Sequence, residues 1–200
     1  MSKGKIAFIG SGMIGTGLAV NFILSGYEAV LQTRRQVELA HTRMEQMLRT
    51  LEENQVITAR QAAQAKERYQ VTTCVQEALE GAIFVQESGP EDLERKKELI
   101  AQIEACVGED VPIASATSSF LPSQLQEGAV HPERILVGHP YHPAYLIPLV
   151  EVCGSPASDP NAIRRAKELY QDAGKEAIVA RKEKSGSIVN RLSWAANAEA

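Results

Sequence analysis

The sequence predicts an α/β protein built on a doubly wound, mostly parallel sheet. Three observations predict it. Strand-length β-rich runs alternate with helical stretches along most of the chain, the first such run ends in a glycine cluster at residues 10–15, and no internal repeat or low-complexity tract interrupts the alternation.

Lys5–Gly10 is a short β-rich run closed by glycine, and Met13–Ser25 reads as a helix stopped by Gly26. Glu28–Thr33 is a second strand. Val37, Ala40, Met44, Met47, Leu48 and Leu51 recur at helical spacing, so Gln36–Glu53 is an amphipathic helix with its methionines in the core. Thr58–Tyr69 is a more polar helix that folds back on it as a hairpin. Strands follow at Gln70–Thr73 and Ala82–Gln86, then a helix over Glu91–Val107 with Leu93, Leu99, Ile100, Ile103 and Val107 inward. Val111–Ser115, Ile135–His139 and Leu149–Cys153 are further strands. Asp159–Gly174 is a helix ended by glycine, and Ala177–Ala180 a last short strand. Ser185-Gly186-Ser187 reads as a hinge, after which Ile188–Glu199 opens a helix with Ile188, Leu192 and Ala195 on one side. The expected division is therefore residues 1–184 as one domain and 185–200 as the start of a second, truncated one.

Composition narrows the function classes. Two hundred residues suffice for a sizeable core. A net charge of -4 gives no basic excess to follow a phosphate backbone, so nucleic acid is not an expected partner. The apolar runs are strand-length, too short for a membrane span, and no signal peptide precedes the glycines. Cys74, Cys106 and Cys153 are odd in number and far apart, which favours reduced thiols, a cytoplasmic location and no metal site.

Two motifs carry chemistry. Gly10-Ser11-Gly12-Met13-Ile14-Gly15 fits G-x-G-x-x-G with a strand before it and a helix after it. Gly10 permits the tight turn, Gly12 lets a pyrophosphate approach the backbone, and Gly15 lets helix and strand pack closely. The helix N-terminus adds N–H donors and a partial positive charge. The motif reads as a Rossmann-type dinucleotide site, against a glycine-rich structural turn. Selectivity for NAD usually rests on an acid at the end of the second strand, but Gln32-Thr33-Arg34-Arg35 stands there. Thr33, Arg34 and Arg35 either hold a 2′-phosphate, favouring NADP(H) over NAD, or are solvated residues opening the next helix.

The second motif is the stretch ILVGHPYHPAYLIPLVEV, which places His139 and Glu151 twelve residues apart around a Pro-rich turn. A strand, a turn and a returning strand bring the imidazole and carboxylate together, a pair suited to general base chemistry near neutral pH. Ser115–Ser119 follows a strand whose C-terminal end faces the same crevice. Its hydroxyls either bond a substrate oxygen or serve ordinary turn chemistry. A dinucleotide fingerprint with a His/Glu pair reads as hydride transfer coupled to proton abstraction from an alcohol.

Together these residues resemble the 3-hydroxyacyl-CoA dehydrogenase family over essentially the whole chain. Its E-x-x-P-E element matches Glu87-Ser88-Gly89-Pro90-Glu91, with Lys96 following; its N-T-S-S element matches Ala116-Thr117-Ser118-Ser119. Its H-F-F-N-P element matches His139-Pro140-Tyr141-His142-Pro143, its downstream glutamate falls on Glu151, and its V-N-R element matches Val189-Asn190-Arg191. The resemblance implies His139 as general base and Glu151 as its orienting partner. It also implies Ser118 and Asn190 on the reacting oxygen, and Glu87 and Lys96 beside the nicotinamide and its ribose. The wording of residues 132–152 is closer to the branch acting on small free acids such as L-carnitine or L-gulonate than to the acyl-CoA enzymes.

The chain departs from the family's pattern at Ala116 and His142, each replacing an asparagine. Family members also continue into an all-helical second domain that closes the substrate cleft and forms most of a dimer interface. Here its first helix alone is expected, in a chain cut short. The expected activity is oxidation of an L-3-hydroxy acid or its acyl-CoA thioester with NAD or NADP. The alternative is a dinucleotide-binding module without catalysis, its substrate lid missing. A phosphogluconate-type reading wants a catalytic lysine in the second domain and is opposed by the His139/Glu151 pair.

Overall fold

The computed structural model describes residues 2–199. Among them eight strands form one sheet: β1 (Lys5–Ile9), β2 (Glu28–Gln32), β3 (Tyr69–Thr72), β4 (Ala82–Glu87), β5 (Ile113–Ser115), β6 (Ile135–Pro140), β7 (Leu149–Cys153) and β8 (Glu176–Ala180). Their order is β3-β2-β1-β4-β5-β6-β7-β8, and every neighbouring pair is parallel except β6–β7. The first six strands follow the order of a dinucleotide-binding sheet. The order reverses between β1 and β4, which opens a crevice at their C-terminal ends.

The helices are α1 (Met13–Leu24), α2 (Val37–Glu53), α3 (Ala59–Lys66), α4 (Val75–Leu79), α5 (Leu93–Glu104), α6 (Pro122–Gln126), α7 (Pro160–Asp172) and α8 (Ile188–Ala198). Strand alternation sends Ile6 and Phe8 to one face of the sheet, with Leu18, Phe22, Phe84 and Tyr170. Ala7 and Ile9 go to the other, with Val85, Ile100, Ile103 and Ile113. Both faces are therefore covered, as a parallel sheet requires. α1 is apolar around its circumference because β1 and β2 lie on one side of it and α2 and α3 on the other.

Several boundaries differ from those read in the sequence. Tyr69 begins β3 and does not end a helix; α3 stops at Lys66, after a Thr58/Gln61 capping box at its start. α5 starts at Leu93 rather than Glu91, because the Asp92 side chain accepts from the Arg95 N–H and fixes the cap there. That leaves Glu91 outside the helix. α4 and α6 were not foreseen: at five residues each they are too short to show a helical period.

α8 lies apart from both cores. It has no buried residue; Ile188, Leu192 and Trp194 are 43%, 65% and 57% exposed. No helix among the described residues is long and apolar enough to cross a membrane.

Candidate active site

Two clefts open on the C-terminal edge of the sheet. The first surrounds the glycine turn. The Gly10 N–H donates to the Gln32 carbonyl at 3.1 Å, and Gly10 has a φ of +109°. A Cβ there would strike the Ser88 backbone, and one on Gly15 would strike the Gly10 carbonyl oxygen. Around Gly12 no atom lies within 4 Å of where a Cβ would stand. Gly12 also caps α1 with no side-chain hydrogen bond, so the amides of Met13, Ile14 and Gly15 have no side-chain partner in the cap.

Ser11, Thr33, Arg34 and Arg43 line this cleft with the glycines. Met13 is exposed and the Ile14 side chain packs against the core; neither they nor Gly15 are among the residues lining the cleft. Thr33 is buried and its hydroxyl accepts from the Gln36 N–H at 3.4 Å, while Arg34 is exposed. The Ser88 hydroxyl is buried without a hydrogen-bond partner among the described residues. An open backbone approach, uncapped amides, flanking cations and an orphaned hydroxyl fit a dinucleotide's phosphates. Arg43 was missed in the sequence. Its guanidinium donates to the Ser11 carbonyl at 2.9 Å across 32 residues, and nothing local ties α2 to the glycine turn.

Between the clefts lies a buried ion pair. Glu87, at the end of β4, is fully buried, and Lys96 is 1% exposed; the ammonium donates to both carboxylate oxygens at 2.9 and 3.1 Å. The Ser115 hydroxyl and the Gly89 N–H complete the carboxylate's partners. Glu87 and Lys96 thus spend their charge on each other, and neither lines a cleft.

Glu91 was not foreseen as a loop anchor. Its Oε1 accepts from the Thr117 hydroxyl at 2.6 Å and from the Ser118 and Ser119 N–H groups at 3.0 Å each. Its other oxygen lies 3.6 Å from the Lys96 ammonium. Burial pushes the Glu91 carboxyl upward, but the Thr117 hydroxyl, Lys96 and the Ser119 N–H outweigh it and hold it below the usual range.

The second cleft is lined by Ser118, His139 and Glu151, with Val137, Phe120 and Cys153 among its apolar walls. β6 and β7 put His139 directly opposite Glu151 in their antiparallel register. Opposite residues of such a pair project to one face, which accounts for the twelve-residue spacing. His139 is 8% exposed, and burial lowers its pKa, with Glu151 and then Glu91 pulling the other way. The imidazole is therefore neutral near pH 7. Its Nδ1 is buried with no hydrogen-bond partner among the described residues, and the Tyr141 ring stands edge-on to it at 4.8 Å.

The Glu151 carboxylate is bonded elsewhere. It accepts from the Tyr141 hydroxyl and, at the start of α8, from the Ile188 N–H at 2.7 Å and the Val189 N–H at 3.2 Å. Tyr141 is pushed up to about 12 by burial and by Glu151, so it stays protonated and donates. The Cys153 thiol is likewise pushed up to about 11 by burial, which disfavours its thiolate. Of the predicted site residues, Ser118, His139 and Glu151 come together, and Gly10, Ser11, Gly12, Thr33 and Arg34 do so in the neighbouring cleft. Asn190 is half-buried on the first turn of α8 but is not among the lining residues, whereas Ile188 and Arg191 of that helix are.

Comparison with known proteins gives the same outline. The family model described as the 3-hydroxyacyl-CoA dehydrogenase NAD binding domain matches residues 5–184. The chain is similar to an L-carnitine dehydrogenase of Nocardiopsis dassonvillei, 40% identical over 98% of this chain and 59% of that protein. It is also similar to the human lambda-crystallin homolog, 34% identical over the whole of this chain and 63% of that one. Among solved structures it resembles (S)-3-hydroxybutyryl-CoA dehydrogenase from Ralstonia eutropha, with a TM-score of 0.89, 25% identity, and 94% and 67% of the two chains covered. The chain thus spans about three-fifths of the length of the curated relatives it matches.

Proposed function

Because this chain belongs to the 3-hydroxyacyl-CoA dehydrogenase family, we propose that it is an NAD(P)-dependent dehydrogenase oxidising the 3-hydroxyl of an L-3-hydroxy acid or its acyl-CoA thioester. The observation that carries this reading is a neutral, buried His139 in a partly apolar cleft beside the glycine cleft, with Ser118 in the same wall.

The dinucleotide, when bound, supplies the hydride acceptor. The rest falls to side chains of this chain. Ser118 holds the substrate oxygen by a hydrogen bond. His139 accepts the hydroxyl proton, for which its burial keeps it in the free-base form. Glu151 supplies the negative charge that supports the imidazolium as it forms, across the strand pair and not through a hydrogen bond. Glu87 and Lys96 position the walls of both clefts from beneath. Asn190 reaches the reacting oxygen in this reading if α8 turns about the Ser185–Ser187 hinge.

NAD is the cofactor the family match supports. A preference for NADP(H) within that is supported by Thr33 and Arg34, which line the cleft with Arg43 while Arg35 does not, and by the lack of an acidic lining residue among the described residues. The match ends at residue 184, which supports a division at Ser185. The small-acid branch is supported by the carnitine-enzyme likeness.

The test is turnover of this chain on L-gulonate, L-carnitine and an L-3-hydroxyacyl-CoA, each with NAD and with NADP. Turnover with any pair supports the dehydrogenase reading. Tight binding of reduced cofactor with no turnover supports the second one, a dinucleotide-binding module, which the wholly unburied α8 favours.

A further inference from the structure

The mouth of the His139 cleft carries a charge pattern that the proton-abstraction scheme does not use. Arg181, Lys182 and Lys184 from the segment after β8, and Arg191 from α8, all line it. All four are exposed, and none forms an ion pair among the described residues. Glu151 is the acid among the lining residues, and it is 4% exposed with its oxygens engaged by Tyr141 and the α8 amides. Glu183, of the same segment, accepts from the Ser123 N–H and acts on Cys153, so four cations face two acids and the mouth carries a net positive charge, while Val137 and Phe120 give the lining an apolar part.

Such a mouth repels a quaternary ammonium. Recognition of that group rests on several aromatic faces around the cation or on an accessible carboxylate. Phe120 is the one carbocyclic aromatic residue lining the cleft among the described residues, and the one carboxylate is sealed. We propose that this cleft takes an anionic hydroxy acid, its Arg181–Lys182–Lys184–Arg191 rim reading negative charge at the substituent beyond the hydroxyl, and discriminates against a trimethylammonium acid. The carnitine-enzyme likeness extends over 98% of this chain, and on this proposal the rim sets a different substrate charge within a shared frame. The inference rests on the cleft being the substrate site.

The test uses three ligands on one 3-hydroxy acid skeleton: 3-hydroxyglutarate, L-3-hydroxybutyrate and L-carnitine, bearing two, one and no net negative charges. Their affinities for this chain with NAD present are measured by calorimetry at low and high salt. The expected order is dianion, monoanion, carnitine, with the ends separated by about tenfold or more at low salt and less at high salt. In Lys182→Glu/Lys184→Glu, both exposed positions, the order flattens or reverses while the melting temperature holds. Binding of all three without this order, or an order unchanged in the double variant, overturns the proposal and leaves the substrate-site reading standing. Binding of none, with NAD still bound, overturns both.

Discussion

Glu151 faces His139 directly across the β6–β7 ladder, yet its carboxylate bonds the Tyr141 hydroxyl and the first amides of α8. One charge thus acts on two elements: it caps a helix at its N-terminus and sets the field at an imidazole. Glu151→Gln removes that charge with little change of shape. Burial then lowers the His139 pKa unopposed by its strongest opposing neighbour, so the acid limb of the kcat/KM–pH profile moves to lower pH. The weakened cap costs about 1 kcal/mol in urea unfolding. An unmoved acid limb would show that the two groups are electrostatically independent.

His139→Ala removes the base from one cleft without touching the other. Turnover is expected to fall about 10²–10⁴-fold while the Kd for NAD stays within about twofold. Comparable losses in both would assign the ring a structural role.

The same histidine leaves a signature in stability. Its folded pKa lies below the unfolded value of 6.5, so the unfolded chain takes up a proton first as the pH falls. The stability it contributes is complete above that unfolded value and is lost as pH drops through the folded one. Melting curves of wild type and His139→Gln, recorded from neutral to mildly acidic pH, should diverge in that window, the wild type falling more steeply. Parallel curves would count against a buried neutral imidazole.

Gly12 and Gly15 separate binding from folding. Gly15→Ala drives a methyl into the Gly10 carbonyl and should lower both the melting temperature and cofactor affinity. Gly12→Ala meets no protein atom, so it should fold as the wild type does and lose NAD affinity by about tenfold or more, because the methyl stands where the phosphates approach. A Gly12→Ala variant that binds NAD normally would move the dinucleotide elsewhere.

Lys96→Met leaves the Glu87 carboxylate buried without its counter-ion and should destabilise the fold by about 3–5 kcal/mol. Adding Glu87→Gln should recover a large part of that loss. A double variant as unstable as the single one would place the cost in packing and not in charge.

What the sequence made legible is what is encoded locally. The glycine turn announces itself in six residues, and the strands that carry His139 and Glu151 are marked by their apolar runs and the turn between them. What escaped depends on distant partners. Arg43 reaches Ser11, Glu91 gathers the Thr117–Ser119 loop, and Tyr141 meets Glu151 and Ser187. In each case the side chain is unremarkable in its own segment, and the fold supplies the other half of the bond. The start of α5 shows the same limit in miniature: Asp92 caps the helix, so it begins two residues after Glu91 and leaves Glu91 as a loop anchor.

The buried chain between the clefts has a thermodynamic consequence. Gly89, in the wall of the glycine cleft, donates to Glu87; Glu87 pairs with Lys96; Lys96 faces Glu91; and Glu91 holds the Ser118 amide in the wall of the other cleft. Under the proposed function, a ligand that shifted one end of this relay would alter the free energy of the other, and equilibrium linkage would make the exchange symmetric: the factor by which dinucleotide changed hydroxy-acid affinity would be the factor by which hydroxy acid changed dinucleotide affinity. Occupancy of the two clefts would then be a coupled quantity, and a single dissociation constant measured for either ligand alone would describe half of the cycle.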